Sequence, residues 1–156
     1  MSHCSHHDTC LAHALDQAET LCQSHGARLT PLRRRVLELI WASHTAVKAY
    51  DILSRLSTED HTVKPPTVYR ALDFLLEQGL VHRVDSLNAY VGCTHPEEPH
   101  DVRLLICNQC GQVAELTNPM LEQALTRALS KTGFQPTRAH LEIHGLCADC
   151  QKKHPA

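Results

Sequence analysis

Apolar residues recur every three or four positions through the first half of the chain, the period of helices that bury one face. Leu11, Leu15, Ala18, Leu21 and Cys22 predict a first helix that Gly26 ends. Leu32, Val36, Leu39 and Ile40 predict a second, with Thr30 placed to cap it and Pro31 in its first turn. Ile52, Leu53 and Leu56 mark a third over about residues 49–56, followed by a polar connector at 57–64. A fourth begins at Pro66 or Thr67 and runs to Gln78, with Gly79 in the stop position. It turns Val68, Leu72, Leu75 and Leu76 inward and Thr67, Tyr69, Arg70, Asp73 and Glu77 outward. The period then changes from helix to strand. Residues 80–85 alternate, Ser86-Leu87-Asn88 can turn, and 89–93 return, which makes a hairpin. Short helices closed by a hairpin spell a winged helix-turn-helix over residues 11–93, in which the first turn of the last helix enters the major groove of DNA.

Residues 94–102 contain two prolines and no apolar period, so they read as a linker. Beyond it a strand at 103–106, a turn at 107–111 and a returning strand at 112–116 lead to a helix capped by Asn118 and opened by Pro119. That helix carries Met120/Leu121, Ala124/Leu125 and Ala128/Leu129 and stops at Gly133. A last strand, 137–144, alternates Ala139, Leu141 and Ile143 against Arg138, His140, Glu142 and His144. The fold class is therefore α+β, with a small α/β domain at 103–156. So small a sheet with one helix exposes apolar surface, and pairing with a second copy is the economical cure.

Composition narrows the classes. No apolar run is long enough to span a membrane, and the amino terminus lacks the apolar core of a signal peptide, so a cytoplasmic protein is expected, with its eight cysteines reduced. Residues 1–10, with His3, Cys4, His6, His7 and Cys10, read as a flexible tail, a metal-collecting arm being the sharper alternative. Residues 1–85 hold nine Lys/Arg against ten Asp/Glu, and 86–156 hold six against seven. The overall field thus gives nucleic acid no help, and DNA binding has to rest on local patches such as Arg28 and Arg33-Arg34-Arg35. Those arginines also read simply as a solvated face. Aromatic residues make up 4% of the chain, too few for single-strand binding by base stacking.

The chemistry concentrates between His82 and Glu115 and at the carboxyl end. Cys107-Asn108-Gln109-Cys110 and Cys147-Ala148-Asp149-Cys150 are two Cys-x-x-Cys pairs, and four thiolates in a tetrahedron close a structural zinc site. Redox chemistry is the rival, but two pairs in one small domain favour metal. The pairs are farther apart than in a zinc ribbon, so the helix and strand between them must bring them together. His82, Cys93, His100 and Glu115 are the remaining candidates. Singly each has a plainer reading, as surface histidines, a small buried thiol and a solvated carboxylate. Converging, they would let one ion tie the hairpin to the second domain.

Arg28-Leu29-Thr30-Pro31-Leu32-Arg33, Ala49-Tyr50-Asp51-Ile52-Leu53 and Thr67-Val68-Tyr69-Arg70-Ala71-Leu72, with Leu80-Val81-His82, resemble the ferric uptake regulator family over about residues 11–150. Residues 64–79 and His144-Gly145-Leu146-Cys147 look most like its zinc-responsive members. The resemblance implies a homodimeric repressor, not an enzyme, that binds palindromic double-stranded DNA and takes no small-molecule substrate. It implies two zinc ions per subunit, a structural one at Cys107, Cys110, Cys147 and Cys150 and a regulatory one at His82, Cys93, His100 and Glu115. It implies DNA contacts from Tyr50 and Arg70, which Thr67 and Tyr69 flank on the exposed face of the fourth helix. The histidine/acid cluster that many relatives carry before the first Cys-x-x-Cys is thinned to His95, His100 and Asp101, so His95, His140, Glu142 and His144 are not assigned a metal. An iron- or peroxide-sensing regulator is the alternative within the family, and a zinc or thiol-redox enzyme the alternative outside it. Cys93 favours zinc over ferrous iron, because thiolate is a soft ligand.

Overall fold

The structure is a computed structural model that describes residues 7–59, 63–97, 101–137 and 139–153. Helices α1 (His7–Ser24), α2 (Pro31–Trp41), α3 (Ala49–Glu59) and α4 (Pro65–Glu77) precede a hairpin of β1 (Val81–Val84) and β2 (Ala89–Gly92), joined by a single 3-10 turn at Asp85–Leu87. Then follow β3 (Val102–Cys107), β4 (Val113–Glu115), α5 (Pro119–Ser130), β5 (His140–Gly145) and α6 (Ala148–Lys153). The second sheet has the order β4-β3-β5, with β3 antiparallel to β4 and parallel to β5. Among the described residues no helix is long and apolar enough to cross a membrane.

The helical periodicities become a single core. Leu15, Ala18 and Cys22 of α1 meet Val36, Leu37, Leu39 and Ile40 of α2, Ile52 and Leu56 of α3, and Val68, Ala71, Leu72, Phe74 and Leu75 of α4. Thr30 accepts the Arg33 N–H at the start of α2, ahead of Pro31. At the end of α4, Gly79 takes a φ of +69°, which a side chain would strain, and Leu80 N–H reaches back to the Leu75 carbonyl.

A second, smaller core lies between the hairpin and the second sheet. Val84 and Val91 from β1 and β2 meet Leu104, Ile106 and Val113 from β3 and β4. The α2–α3 connection links the same two sheets from the side. Val47 and Tyr90 exchange both backbone hydrogen bonds at 2.8 Å, and His44 O accepts Val113 N–H at 2.9 Å. Trp41 closes this junction against Gly92, where a Cβ would overlap the indole ring. Gly92→Ala should therefore destabilise the protein by about 1–3 kcal/mol, as overpacking does, read by urea unfolding. An unchanged midpoint would mean that Trp41 has room to move.

Several expectations need correction. Helix α1 starts at His7, because Cys10 and Ala14 extend the row of Ala18 by one turn, so the tail cannot reach residue 10; His3, Cys4 and His6 lie outside the described residues. Cys10 is disulfide-bonded, against the expectation of fully reduced thiols, while Cys22, Cys93, Cys107, Cys110, Cys147 and Cys150 are not in disulfides. A thiol with no metal-ligand spacing around it follows no rule that spacing can supply. Helix α3 continues to Glu59, since its polar last turn is tolerated on the solvent face. Strand β3 starts inside the expected linker, where Val102 pairs with His140. Helix α6 was not foreseen, being too short to show a period. No residue of α5 is buried, and Met120, Phe134, Leu141, Ile143 and Leu146 are exposed, so this side of the second sheet lacks a cover within one chain.

Candidate metal centres and nucleic-acid face

The four thiols are assembled from three elements. Cys107 ends β3, Cys110 follows in the turn, Cys147 follows β5, and Cys150 is on α6. Parallel pairing of β3 with β5, ending at Cys107 opposite Gly145, sets the two pairs side by side despite their separation in sequence. All four sulfurs lie within 4.8 Å of one another, and Cys110 Sγ is 3.7 Å from Cys147 Sγ. A tetrahedron with metal–sulfur bonds of about 2.3 Å has edges of about 3.8 Å, so the spacing suits zinc. The Cys110 and Cys147 backbone N–H groups hold the Cys107 thiol down to about 6, whereas burial and the neighbouring thiols push Cys150 up to about 12. One thiolate thus discourages the next from ionising, a conflict that a divalent cation relieves.

The second candidate set lies at the edge of the smaller core. His82 and Val84 share one face of β1, and the pairing of Val81 with Gly92 puts Val91 and Cys93 on that same face. Glu115 ends the inward row of β4, beyond Val113. The alternation that buries the valines therefore also brings the donors together. Ligand atoms of His82, Cys93 and Glu115 lie within 4.8 Å of one another, and His82 Nε2 is 3.3 Å from Glu115 Oε1. His100, the fourth expected ligand, lies outside the described residues.

Thr94 was not anticipated. Its N–H and its hydroxyl both donate to Glu115 Oε2, at 3.2 and 2.8 Å, which aims the carboxylate. No residue pattern announces this contact, because it needs the linker to cross β4. Burial alone would raise the Glu115 carboxyl, but hydrogen bonds from His82 and Thr94 outweigh it and bring it to about 2. Burial, with the Glu115 carboxylate alongside, pushes the Cys93 thiol up to about 12. One sulfur, one imidazole nitrogen and one carboxylate oxygen on the described residues are a donor set that fits zinc.

Outside the two expected ligand sets, ligand atoms of Asp85, His140 and Glu142 also lie within 4.8 Å of one another, and His144 Nδ1 is 3.2 Å from Asn108 Oδ1. His95 Nδ1 lies 2.9 Å from the Thr94 hydroxyl.

In the helical half, Tyr50 in the first turn of α3 is 76% exposed and Tyr69 on α4 is 52% exposed, and Thr67 and Arg70 on α4 are exposed as well. The three consecutive arginines have internal employment. Arg33 stacks on Phe74 at 3.6 Å and donates to Arg28 O, Arg34 pairs with Glu19 and Glu38, and Arg35 pairs with Glu38.

A model of the ferric uptake regulator family matches residues 24–144. The zinc uptake regulation protein of Escherichia coli K12 is 44% identical over 146 residues, covering 90% of this chain and 85% of its own. A solved structure described as a zinc uptake regulator complexed with zinc and DNA is 43% identical, with a TM-score of 0.84 over 92% of this chain and 96% of that one. The structure named holo XcZur is 42% identical and superposes with a TM-score of 0.80 over 88% of this chain and 96% of that one. Its apo counterpart, 41% identical, reaches only 0.55 over 90% and 97%.

Proposed function

Because the chain belongs to the ferric uptake regulator family, we propose that it is a zinc-responsive, sequence-specific DNA-binding repressor of zinc-uptake genes. It is a transcription regulator and not an enzyme, and it works as a homodimer on double-stranded DNA with a palindromic operator, in the cytoplasm. The observation that carries this reading is the sulfur, nitrogen and oxygen donor set drawn from both sides of the joint, with His82 and Cys93 on the hairpin and Glu115 on the second sheet. With α1 starting at His7 and β3 at Val102, residues 7–93 are assigned to the DNA-reading unit, 94–101 to the linker and 102–153 to the dimerisation unit.

Two zinc ions per subunit are assigned. Cys107, Cys110, Cys147 and Cys150 hold the structural one, and His82, Cys93, Glu115 and His100 hold the regulatory one. Zinc at the regulatory site supplies a soft divalent cross-link between the two units. His82 and Cys93 then move with the hairpin, and so with α4, while Glu115 moves with the dimerisation sheet. Their convergence selects one orientation of α4 out of those that the linker allows. The exposed Leu141, Ile143 and Leu146 support pairing of two copies through the second sheet. Such pairing sets the two α4 helices at the fixed separation that successive major grooves require. The better superposition on the holo than on the apo relative supports the same closed arrangement for this chain.

Tyr50, Thr67, Tyr69 and Arg70 are the DNA contacts, with Arg70 able to reach a guanine edge and Tyr50 a phosphate or thymine methyl. A gel-shift titration of a palindromic promoter fragment against buffered free zinc, iron and manganese tests the function. Binding driven by zinc alone is expected; binding driven by iron would sink the reading. In the same assay Arg70→Ala should weaken operator binding by about 1–3 kcal/mol, leaving zinc content unchanged. Unaltered affinity would remove Arg70 from the reading face.

A further inference from the structure

The tip of the wing is exposed, yet it is held by a side chain of the second sheet. Glu142 on β5 accepts the Asp85 N–H through Oε1 at 2.6 Å and the Ser86 N–H through Oε2 at 3.2 Å, so one carboxylate holds the whole turn. His140 spans the junction, with Nδ1 3.3 Å from Asp85 Oδ2 and Nε2 3.5 Å from Glu142 Oε1. Arg83 pairs with Asp85 at 3.1 Å on the hairpin side, and His144 Nε2 stands 3.9 Å from Glu142 Oε2 on the sheet side. The register explains the meeting. Val102, Leu104 and Ile106 of β3 pair with His140, Glu142 and His144, so the polar face of β5 is the face that the sheet turns toward the hairpin.

The same residues do not look like a cation site. Both Glu142 oxygens already receive backbone N–H groups, and the imidazole turns its two nitrogens toward different carboxylates. Burial alone would raise the Glu142 carboxyl, yet hydrogen bonds from Ser86 and Asp85 and the neighbouring His140 bring it below its usual range. That is the behaviour of a carboxylate already satisfied by hydrogen bonds.

The geometry points to a second, metal-independent clasp, in which Glu142, positioned by His140, seats the wing tip on β5 and holds part of the DNA-competent arrangement before the regulatory donors engage zinc. The clasp rests on the zinc-responsive reading above and adds to it. A ligand that binds only one arrangement has an apparent dissociation constant equal to its intrinsic one divided by the fraction of molecules in that arrangement. Opening the clasp lowers the competent fraction, so more zinc is needed for the same DNA occupancy. Saturating zinc restores that occupancy, because neither residue is among the assigned DNA contacts or zinc donors.

The test uses the full-length dimer as wild type, Glu142→Gln, Glu142→Ala and His140→Gln. Operator binding is titrated against buffered free zinc, with metal content and dimer mass as controls. Glu142→Ala should move the zinc midpoint upward by about tenfold, with Glu142→Gln between it and wild type, while affinity at saturating zinc stays within about twofold. Amide hydrogen exchange at Asp85 and Ser86 should speed up in Glu142→Ala, and this reads the clasp whether or not zinc controls DNA binding. Superposed midpoints, exchange unchanged at these amides, or a plateau affinity lost at an unmoved midpoint would each overturn the clasp. So would loss of a zinc equivalent in His140→Gln, which would make the cluster a metal site. A wild type that ignores zinc but shows the exchange change would fail the functional reading alone.

Discussion

Cys93→Ser is expected to abolish zinc-stimulated DNA binding while the protein remains a folded dimer. A serine hydroxyl holds its proton far more tightly than a thiol and is a hard donor, so the set of soft and borderline ligands is broken at its softest member. Loss of zinc affinity at the regulatory site should exceed about 100-fold, since even residues that merely orient ligands contribute 10–100-fold. The fold should persist, because serine is nearly isosteric and the apolar contacts of Val84, Val91, Leu104, Ile106 and Val113 do not need the sulfur. Proton linkage gives a second signature. Burial and the Glu115 carboxylate hold the Cys93 thiol at about 12 without metal, so near neutral pH binding must expel its proton. That thiol alone then weakens zinc binding by about tenfold for each unit by which pH falls, and the serine variant should lack the dependence. Zinc titrations at two pH values, with size-exclusion mass as control, measure both effects. A variant that kept the full zinc response would remove Cys93 from the site.

Cys147→Ser should act on the architecture instead. The sulfur cluster of Cys107, Cys147 and Cys150 is a separate small core, and Cys107 Sγ accepts the Cys147 N–H at 3.3 Å. Around it the second half has little else, since α5 buries nothing and the other apolar contacts are shared with the hairpin. Structural zinc contributes about 10–16 kcal/mol in small zinc-folded peptides, as much as the whole stability of many domains. The expected outcome is loss of one zinc equivalent, a thermal midpoint lower by more than about 10 °C, and dissociation of the dimer. The helices of residues 7–59 and 65–77 should survive, as their core does not include the four cysteines of the sulfur cluster. Analytical ultracentrifugation with far-UV circular dichroism distinguishes this from general unfolding. A stable dimer with the remaining zinc content intact would show that the four sulfurs are no staple.

Much of this molecule is local in origin. The 3.6-residue rows, Thr30-Pro31, Asn118-Pro119 and Gly79 each act within a few residues of themselves, so the elements from α1 to α5 could be placed by inspection, apart from their frayed ends. The two Cys-x-x-Cys pairs announced their chemistry in the same way, because thiol spacing within a turn is also local. The exposed row of Thr67, Tyr69 and Arg70 followed from the inward row of Val68 and Leu72.

The meeting of distant residues was not of that kind. Sequence alone determined that His82, Cys93 and Glu115 were suitable donors on strands or strand ends, but each had a plainer local use. Only the tertiary structure decided that two facing sheets bring all three together, with Thr94 bonded to Glu115 and Glu142 reaching the wing tip. It also gave Arg33, Arg34 and Arg35 partners within the chain, in Phe74, Glu19 and Glu38. The physical reason is register. Side chains alternate strictly along a strand, so a slip of one residue between β3 and β5 would turn His140 and Glu142 to the opposite face, and composition cannot specify which register wins. Hydrophobic burial of Leu104 and Ile106 against the hairpin made that choice, and the polar contacts came with it.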